Sequence, residues 1–312
     1  MKFIYFNDDR LGALTDRGVV DLTAAVSHLP HRDRRDLILA VIPVFEDIKD
    51  HLAASLRTSP AVALDSVKLL PPIPRPRQID CMAVNYMEDG TLEVPAPING
   101  FHKSPSAIIG PEDTMVLPDA PAKIFEGEAE LALVIGKTAR NVAVADAMSH
   151  VFGYMNFIDG SARGLPPERN IFFQAKSRDS FAPIGPYLVT ADEVPNPQNL
   201  KVKLWNNGAI KQDFNTDDMA HNIATSIAWV SSIHTMEAGD ILATGTNHRG
   251  LNSFQDGDRI ELEIEGLGRL AINVSDPLQR SWGRDTRRQH AEKGLPGAFT
   301  PQLTGKYAES QN

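Results

Sequence analysis

The chain has 312 residues, 42% of them apolar, which is enough to bury one large core or two unequal ones. A formal net charge of −9 excludes the basic face that a nucleic-acid partner needs. The single cysteine, Cys81, excludes an internal disulfide, and no apolar run is long enough to cross a bilayer, so the composition predicts a soluble, cytoplasmic protein with no membrane partner.

Read from its start, the chain alternates short strands with turns: M-K-F-I-Y-F, N-D-D-R, L-G-A-L, T-D-R-G, V-V-D-L. Helical spacing follows from about Arg32 to Arg57, with Pro43 dividing two helices. The proline-rich stretch 69–78 reads as an extended linker, which sets apart a small N-terminal domain, 1–70, from the body at 71–277. Cys81 lies in apolar I-D-C-M-A-V and reads as a buried thiol, not a nucleophile.

Most of the body reads as strands. Asn207-Gly208 between K-V-K-L-W-N and A-I-K-Q-D-F predicts a hairpin. A helix is then expected, capped by Thr216 or Asp217 and carrying Met219, Ile223, Ile227 and Val230 on one face. Two Gly-Asp turns, at 239–240 and 257–258, lead into strands. The polar segment 278–312 is expected to be disordered or to lie as an arm on a partner subunit.

The chemistry concentrates in F-E-G-E-A-E-L-A-L-V-I-G (125–136), a buried strand by composition. Side chains alternate along a strand, so Glu128 and Glu130 share a face with Ala132 and Val134. Two carboxylates buried side by side need a cation between them, and a hard divalent ion suits oxygen ligands best. Asp159, in G-Y-M-N-F-I-D-G-S-A-R-G, offers a third carboxylate, and Lys176 would offset the excess negative charge. The small-residue loop A-T-G-T-N-H-R-G (243–250) can approach a ligand closely. Each signal alone has a bland alternative, because an E-x-E pair is more often a salt-bridged surface edge. Their order along the chain, each beside an apolar strand, favours a site.

From about Ile79 to Pro277 the chain resembles the fumarylacetoacetate hydrolase family. The resemblance rests on A-V-N-Y (83–86), F-H-K-S-P-S-A-I-I-G-P (101–111), E-A-E-L-A-L-V-I-G-K, G-Y-M-N-F-I-D-G-S-A-R, K-S-R-D-S-F-A-P-I-G-P, G-D-I-L-A-T-G-T and D-G-D-R-I-E-L-E-I-E-G-L-G, all in order. It implies an α+β, predominantly β fold: a mixed β-sandwich roll with a small N-terminal α/β domain, usually a homodimer. It further implies Glu128, Glu130 and Asp159 as ligands of Mg²⁺ or Mn²⁺, Lys176 as the cation beside metal and substrate, and Thr246 and Tyr86 as substrate contacts. A keto acid could chelate such an ion through adjacent oxygens, and the ion would stabilise the enolate left when a carbon–carbon bond breaks.

The segment that supplies the water-activating pair in hydrolytic members departs from the pattern. Hydrolytic members commonly carry a histidine three residues after N-Y and a glutamate soon after. In N-Y-M-E-D-G-T-L-E, Asp89 stands at the histidine position and Glu93 one place beyond the usual glutamate. Glu88, Asp89 or Glu93 could serve as base. Alternatively His102 or His248 comes in from elsewhere, with Arg249 binding a substrate carboxylate. The third option is a reaction that uses no hydrolytic water. Three functions follow: hydrolysis of a β-diketone or acylpyruvate-like acid in aromatic-compound catabolism; decarboxylation, tautomerisation, isomerisation or hydration of a 2-oxo or 2-hydroxymuconate-type acid; or a metal-binding scaffold without chemistry.

Overall fold

The structure is a computed structural model describing residues 1–167, 169 and 171–308. It opens with three antiparallel strands, β1 (Lys2–Phe6), β2 (Arg10–Thr15) and β3 (Gly18–Asp21), as the alternating pattern predicts. Pro43 falls in a 3₁₀ turn between a short helix, Leu37–Val41, and the long helix α1 (Phe45–Thr58). In the proline-rich stretch, Leu69–Leu70 pairs with β1 before the chain passes into irregular backbone.

Two sheets build the body. The strands of the larger are β4 (Ile79–Met82), β5 (Gly100–Lys103), β7 (Ile124–Ile135), β8 (Val151–Arg163), β9 (Ala182–Thr190) and β12 (Ile241–Ala243). They run in the order β1-β9-β8-β7-β12-β4-β5, so β1 joins the body by pairing antiparallel with β9. The smaller sheet runs β11-β10-β13-β14-β6, from β6 (Thr114–Val116), β10 (Lys201–Asn206), β11 (Ala209–Asn215), β13 (Arg259–Ile264) and β14 (Arg269–Ser275). Asn207 and Gly208 take φ of 50° and 77° in the β10–β11 hairpin, as a primed turn needs.

Every residue of β7 is buried, and its two faces serve different cores. Leu131, Leu133 and Ile135 face a core shared with Val202, Leu204, Ile260 and Leu262 of the smaller sheet. Ala132 and Val134 face Leu37, Ile38 and Val41 of the N-terminal helix and share their side of the sheet with Ile79 and Cys81 of β4, one strand beyond β12. The helix predicted after Thr216 starts later, as α3 (Ile223–Ile233), with Asn222 capping Thr225 N at 2.8 Å. Thr216 cannot cap it, because its hydroxyl accepts from Leu200 N and donates to Pro197 O.

The segment 278–308 is ordered on the body of this chain and is not a disordered tail. Arg280 and Trp282 are buried, α4 (Arg287–Glu292) follows, and Gln302–Thr304 pairs with Ser281–Trp282. Polar side chains with buried partners hold it there, a feature that hydrophobic periodicity does not reveal. Among the described residues no helix is long and apolar enough to span a membrane.

Candidate active site

The paired strands β7 and β8 set the geometry. Glu128 lies opposite Asp159 in the register, with Gly127 opposite Gly160. Alternation therefore places Glu126, Glu128 and Glu130 on one face of β7, and Asp159, Ser161 and Arg163 on the adjoining face of β8. One oxygen from each of Glu128, Glu130 and Asp159 lies within 4.8 Å of the others, and all three side chains are buried.

Cations meet this charge from three elements. Lys176, at the end of the short helix α2 (Phe172–Lys176), donates to Glu128 Oε1 at 2.6 Å and to Asp159 Oδ2. Lys103 of β5 donates to Asp159 Oδ1 at 2.5 Å and to Gly160 O at 3.0 Å. Arg163 donates to Glu128 and, at 3.2 Å, to Glu126, which Arg287 of the C-terminal segment also holds. Burial alone would push the Glu128 carboxyl up, but Lys176, Arg163 and His248 outweigh it and hold it well below the usual range. Glu130 goes the other way: burial, with Asp159 and Glu128 beside it, pushes its carboxyl well above the ordinary value.

The donor set fits a divalent ion. It consists of carboxylate oxygens, as hard cations require, and Glu130 Oε1 is buried with no hydrogen-bond partner among the described residues. Glu130 Oε2 accepts from Gly245 N at 2.7 Å, so the small-residue loop fixes this carboxylate from above. The φ of Gly245, 85°, with the Asn85 side chain 3.0 Å from a notional Cβ, explains the glycine there.

The residues expected to supply a base are brought together in part. His248 Nδ1 lies 2.6 Å from Glu88 Oε1, and the His248 backbone N donates to Glu88 Oε2 at 2.9 Å. Glu88 and Asp89 both adopt left-handed backbone, φ 56°, the kind of local strain that concentrates at functional loops. Asp89 accepts from Asn247 Nδ2 at 3.0 Å and faces Arg249 Nε at 3.6 Å. Glu93 is exposed in the turn beyond.

His102 and the Thr246 hydroxyl are both engaged with other partners. His102 alternates with Lys103 on β5, so it points to the opposite face of the sheet, where Asp80 and His234 meet it. The Thr246 hydroxyl is already engaged, donating to Ala129 O at 2.7 Å and accepting from Gln212 at 2.8 Å. Tyr86 is wholly buried with its ring edge-on to Phe214. Arg249 is half-buried and its Nε lacks a hydrogen-bond partner among the described residues.

Lys103, Arg163 and Gly245 escaped the sequence reading. Arg163 was within reach of it, since a strand that presents Asp159 presents residue 163 on the same face. Lys103 gave no signal, because a lysine beside a histidine in a short strand reads as solvated.

Known proteins carry the same plan. The family described as Fumarylacetoacetate (FAA) hydrolase C-terminal matches residues 80–275. A maleylpyruvate hydrolase of Aquipseudomonas alcaligenes is 32% identical over 296 residues, covering 88% of this chain and 99% of that protein. A mitochondrial oxaloacetate tautomerase of Homo sapiens is 38% identical over 235 residues, 72% of this chain and 73% of that one. Among solved structures, maleylpyruvate hydrolase from Sphingobium sp. SYK-6 in complex with manganese(II) and pyruvate superposes with a TM-score of 0.80 at 35% identity, covering 88% of this chain and 99% of its own.

Proposed function

This chain belongs to the fumarylacetoacetate hydrolase family, and from that premise we propose that it is a divalent-metal-dependent hydrolase cleaving the carbon–carbon bond of an acylpyruvate-type keto acid. The observation that carries this reading is the Glu88–His248 pair beside the carboxylate triad. It restores an acid–base couple where Asp89 replaces the expected histidine. Pyruvate and manganese(II) in the Sphingobium relative support an acylpyruvate as the substrate class.

Glu128, Glu130 and Asp159 would hold Mg²⁺ or Mn²⁺, which supplies Lewis-acid charge at the keto-acid oxygens. The three carboxylates are matched by Lys176, Lys103 and Arg163, so two further positive charges call for a dianionic substrate. Glu88 accepts from His248 Nδ1–H and leaves Nε2 to take a proton from water. The hydroxide adds to the acyl carbonyl, and the bond to the adjacent methylene then breaks. Its electron pair passes into the pyruvate enolate, whose oxygen Lys176 stabilises. The proton held by His248 goes to the methylene carbon, giving a carboxylic acid and pyruvate. Arg249, half-buried beside Asp89, would bind the distal carboxylate of the substrate.

The test is incubation of the purified protein with maleylpyruvate and Mg²⁺ or Mn²⁺. One equivalent of pyruvate per substrate consumed is expected, with turnover abolished by EDTA and by Glu130→Gln. A shift of enol absorbance without pyruvate release would instead favour the tautomerase reading, which the human relative supports. Turnover that survives both EDTA and Glu130→Gln would falsify the metal-dependent scheme.

A further inference from the structure

We propose that Asp80, His102 and His234 form a second divalent-metal site, for an ion of the zinc class, on the opposite face of the large sheet from the carboxylate triad. Strand alternation separates the two. On β4, Ile79 and Cys81 face the helix-covered core that Ala132 and Val134 of β7 also line, whereas Asp80 points the other way with Met82. On β5, Lys103 reaches Asp159 of the triad, and its neighbour His102, the register partner of Asp80, faces away. His234, the residue that follows α3, closes the cluster from outside the sheet.

The geometry is that of a three-ligand site. Asp80 Oδ1 lies 3.0 Å from His102 Nδ1 and 3.0 Å from His234 Nε2, and one atom from each residue lies within 4.8 Å of the others. Ligands bound roughly 2.0–2.1 Å from a tetrahedral zinc stand about 3.3 Å apart, so small rotations would admit the ion. His102 is 63% exposed on its side chain, which leaves a fourth position open to water. Two imidazoles and one carboxylate match the borderline metals Zn²⁺, Co²⁺ and Ni²⁺, not Mg²⁺.

Independent observations call for a cation there. Asp80 is nine-tenths buried, yet its Oδ2 has no hydrogen-bond partner among the described residues. The neighbouring carboxylate of Asp240 is wholly buried and also has one oxygen, Oδ1, without a partner among them. His234 Nδ1 lies 3.1 Å from Thr235 O, an atom that can only accept, so that nitrogen carries a proton. Nε2 faces the Asp80 carboxylate at 3.0 Å, so a positive charge lies between them, either a metal ion or a second ring proton. Such a hydrogen bond from the remote ring nitrogen to a backbone carbonyl is the usual outer support of a metal-bound histidine. The competing occupant is a second proton on His234, making a plain ion pair with Asp80.

Titration of tag-free full-length protein with Co²⁺ in excess Mg²⁺ separates the two. The expected result is visible d–d bands of a nitrogen-ligated ion saturating at one equivalent and bleached by Zn²⁺. They should be lost in His102→Ala and His234→Ala. The double variant Glu128→Gln/Glu130→Gln should keep them, so this site stands or falls apart from the catalytic reading. His102 is exposed, so its alanine variant decides between the two occupants even if the His234 variant does not fold. Absence of the bands, or bands unaltered in His102→Ala, assigns the cluster to a protonated His234 and overturns the proposal.

Discussion

The two ring nitrogens of His248 have separate tasks in the proposed reaction. Nδ1 is tied to Glu88 at 2.6 Å, and that bond both orients the ring and stabilises the imidazolium formed after proton abstraction. Glu88→Gln keeps the shape but removes the compensating charge, and His248→Gln removes the base. Both should lower kcat for pyruvate release by about 10²- to 10⁴-fold, the usual contribution of a positioned general base. Pyruvate release at wild-type rates in either variant would remove the pair from the mechanism. The carboxylate triad was legible in the sequence because a two-residue period on a buried strand admits few arrangements. The pairing of Glu88 with His248 was not, although both were candidates: they stand 160 residues apart, and only the packing of two loops decides which of Glu88, Asp89 and Glu93 meets the imidazole.

At the scale of elements, the β7–β8 ladder must present acids on one face while packing tightly on the other. Gly127 and Gly160, register partners next to Glu128 and Asp159, make this possible. A Cβ on Gly127 would lie 2.3 Å from the Phe254 ring, and one on Gly160 would lie 2.8 Å from Phe181. Gly127→Ala should therefore force the strand or the ring aside and cost about 1–3 kcal/mol, as overpacking commonly does. Chemical denaturation should show that loss, and turnover should fall with it because Glu128 is the adjoining residue. Unchanged stability and turnover would mean that Phe254 moves freely. The ladder itself, the N-terminal strands and the Asn207-Gly208 hairpin were readable, since each carries a local period or a turn requirement. The start of α3 was misread because Thr216, a good capping residue in isolation, is engaged by Leu200 and Pro197 from distant chain.

Across the whole molecule, the C-terminal segment is clamped over the sandwich by charge, not by apolar periodicity, and this concealed its course in the sequence. Arg280 makes a two-pronged contact with Asp276, both bonds 2.9 Å, and donates to Ala120 O and Pro118 O; both charged side chains are buried. Trp282 then donates to Lys123 O at 2.7 Å, and Arg287 reaches Glu126 on the strand that carries the triad. The clamp therefore ties the last elements of the chain to the strand at the centre of the site. Burial would raise the Asp276 carboxyl, but its bonds from Arg280 and Leu278 hold it below the ordinary value of 3.8. A carboxyl lowered on folding adds stability that is fully present above its unfolded value and is lost as pH falls through the folded one. Asp276→Asn strands the Arg280 charge in the interior and should cost about 3–5 kcal/mol at pH 7. The gap between wild type and variant should then narrow as the pH drops below 3.8, because the wild-type carboxyl itself becomes protonated. Urea unfolding of both proteins at several pH values measures this, and a gap that stays constant into acid would show that the contact holds the segment by packing alone.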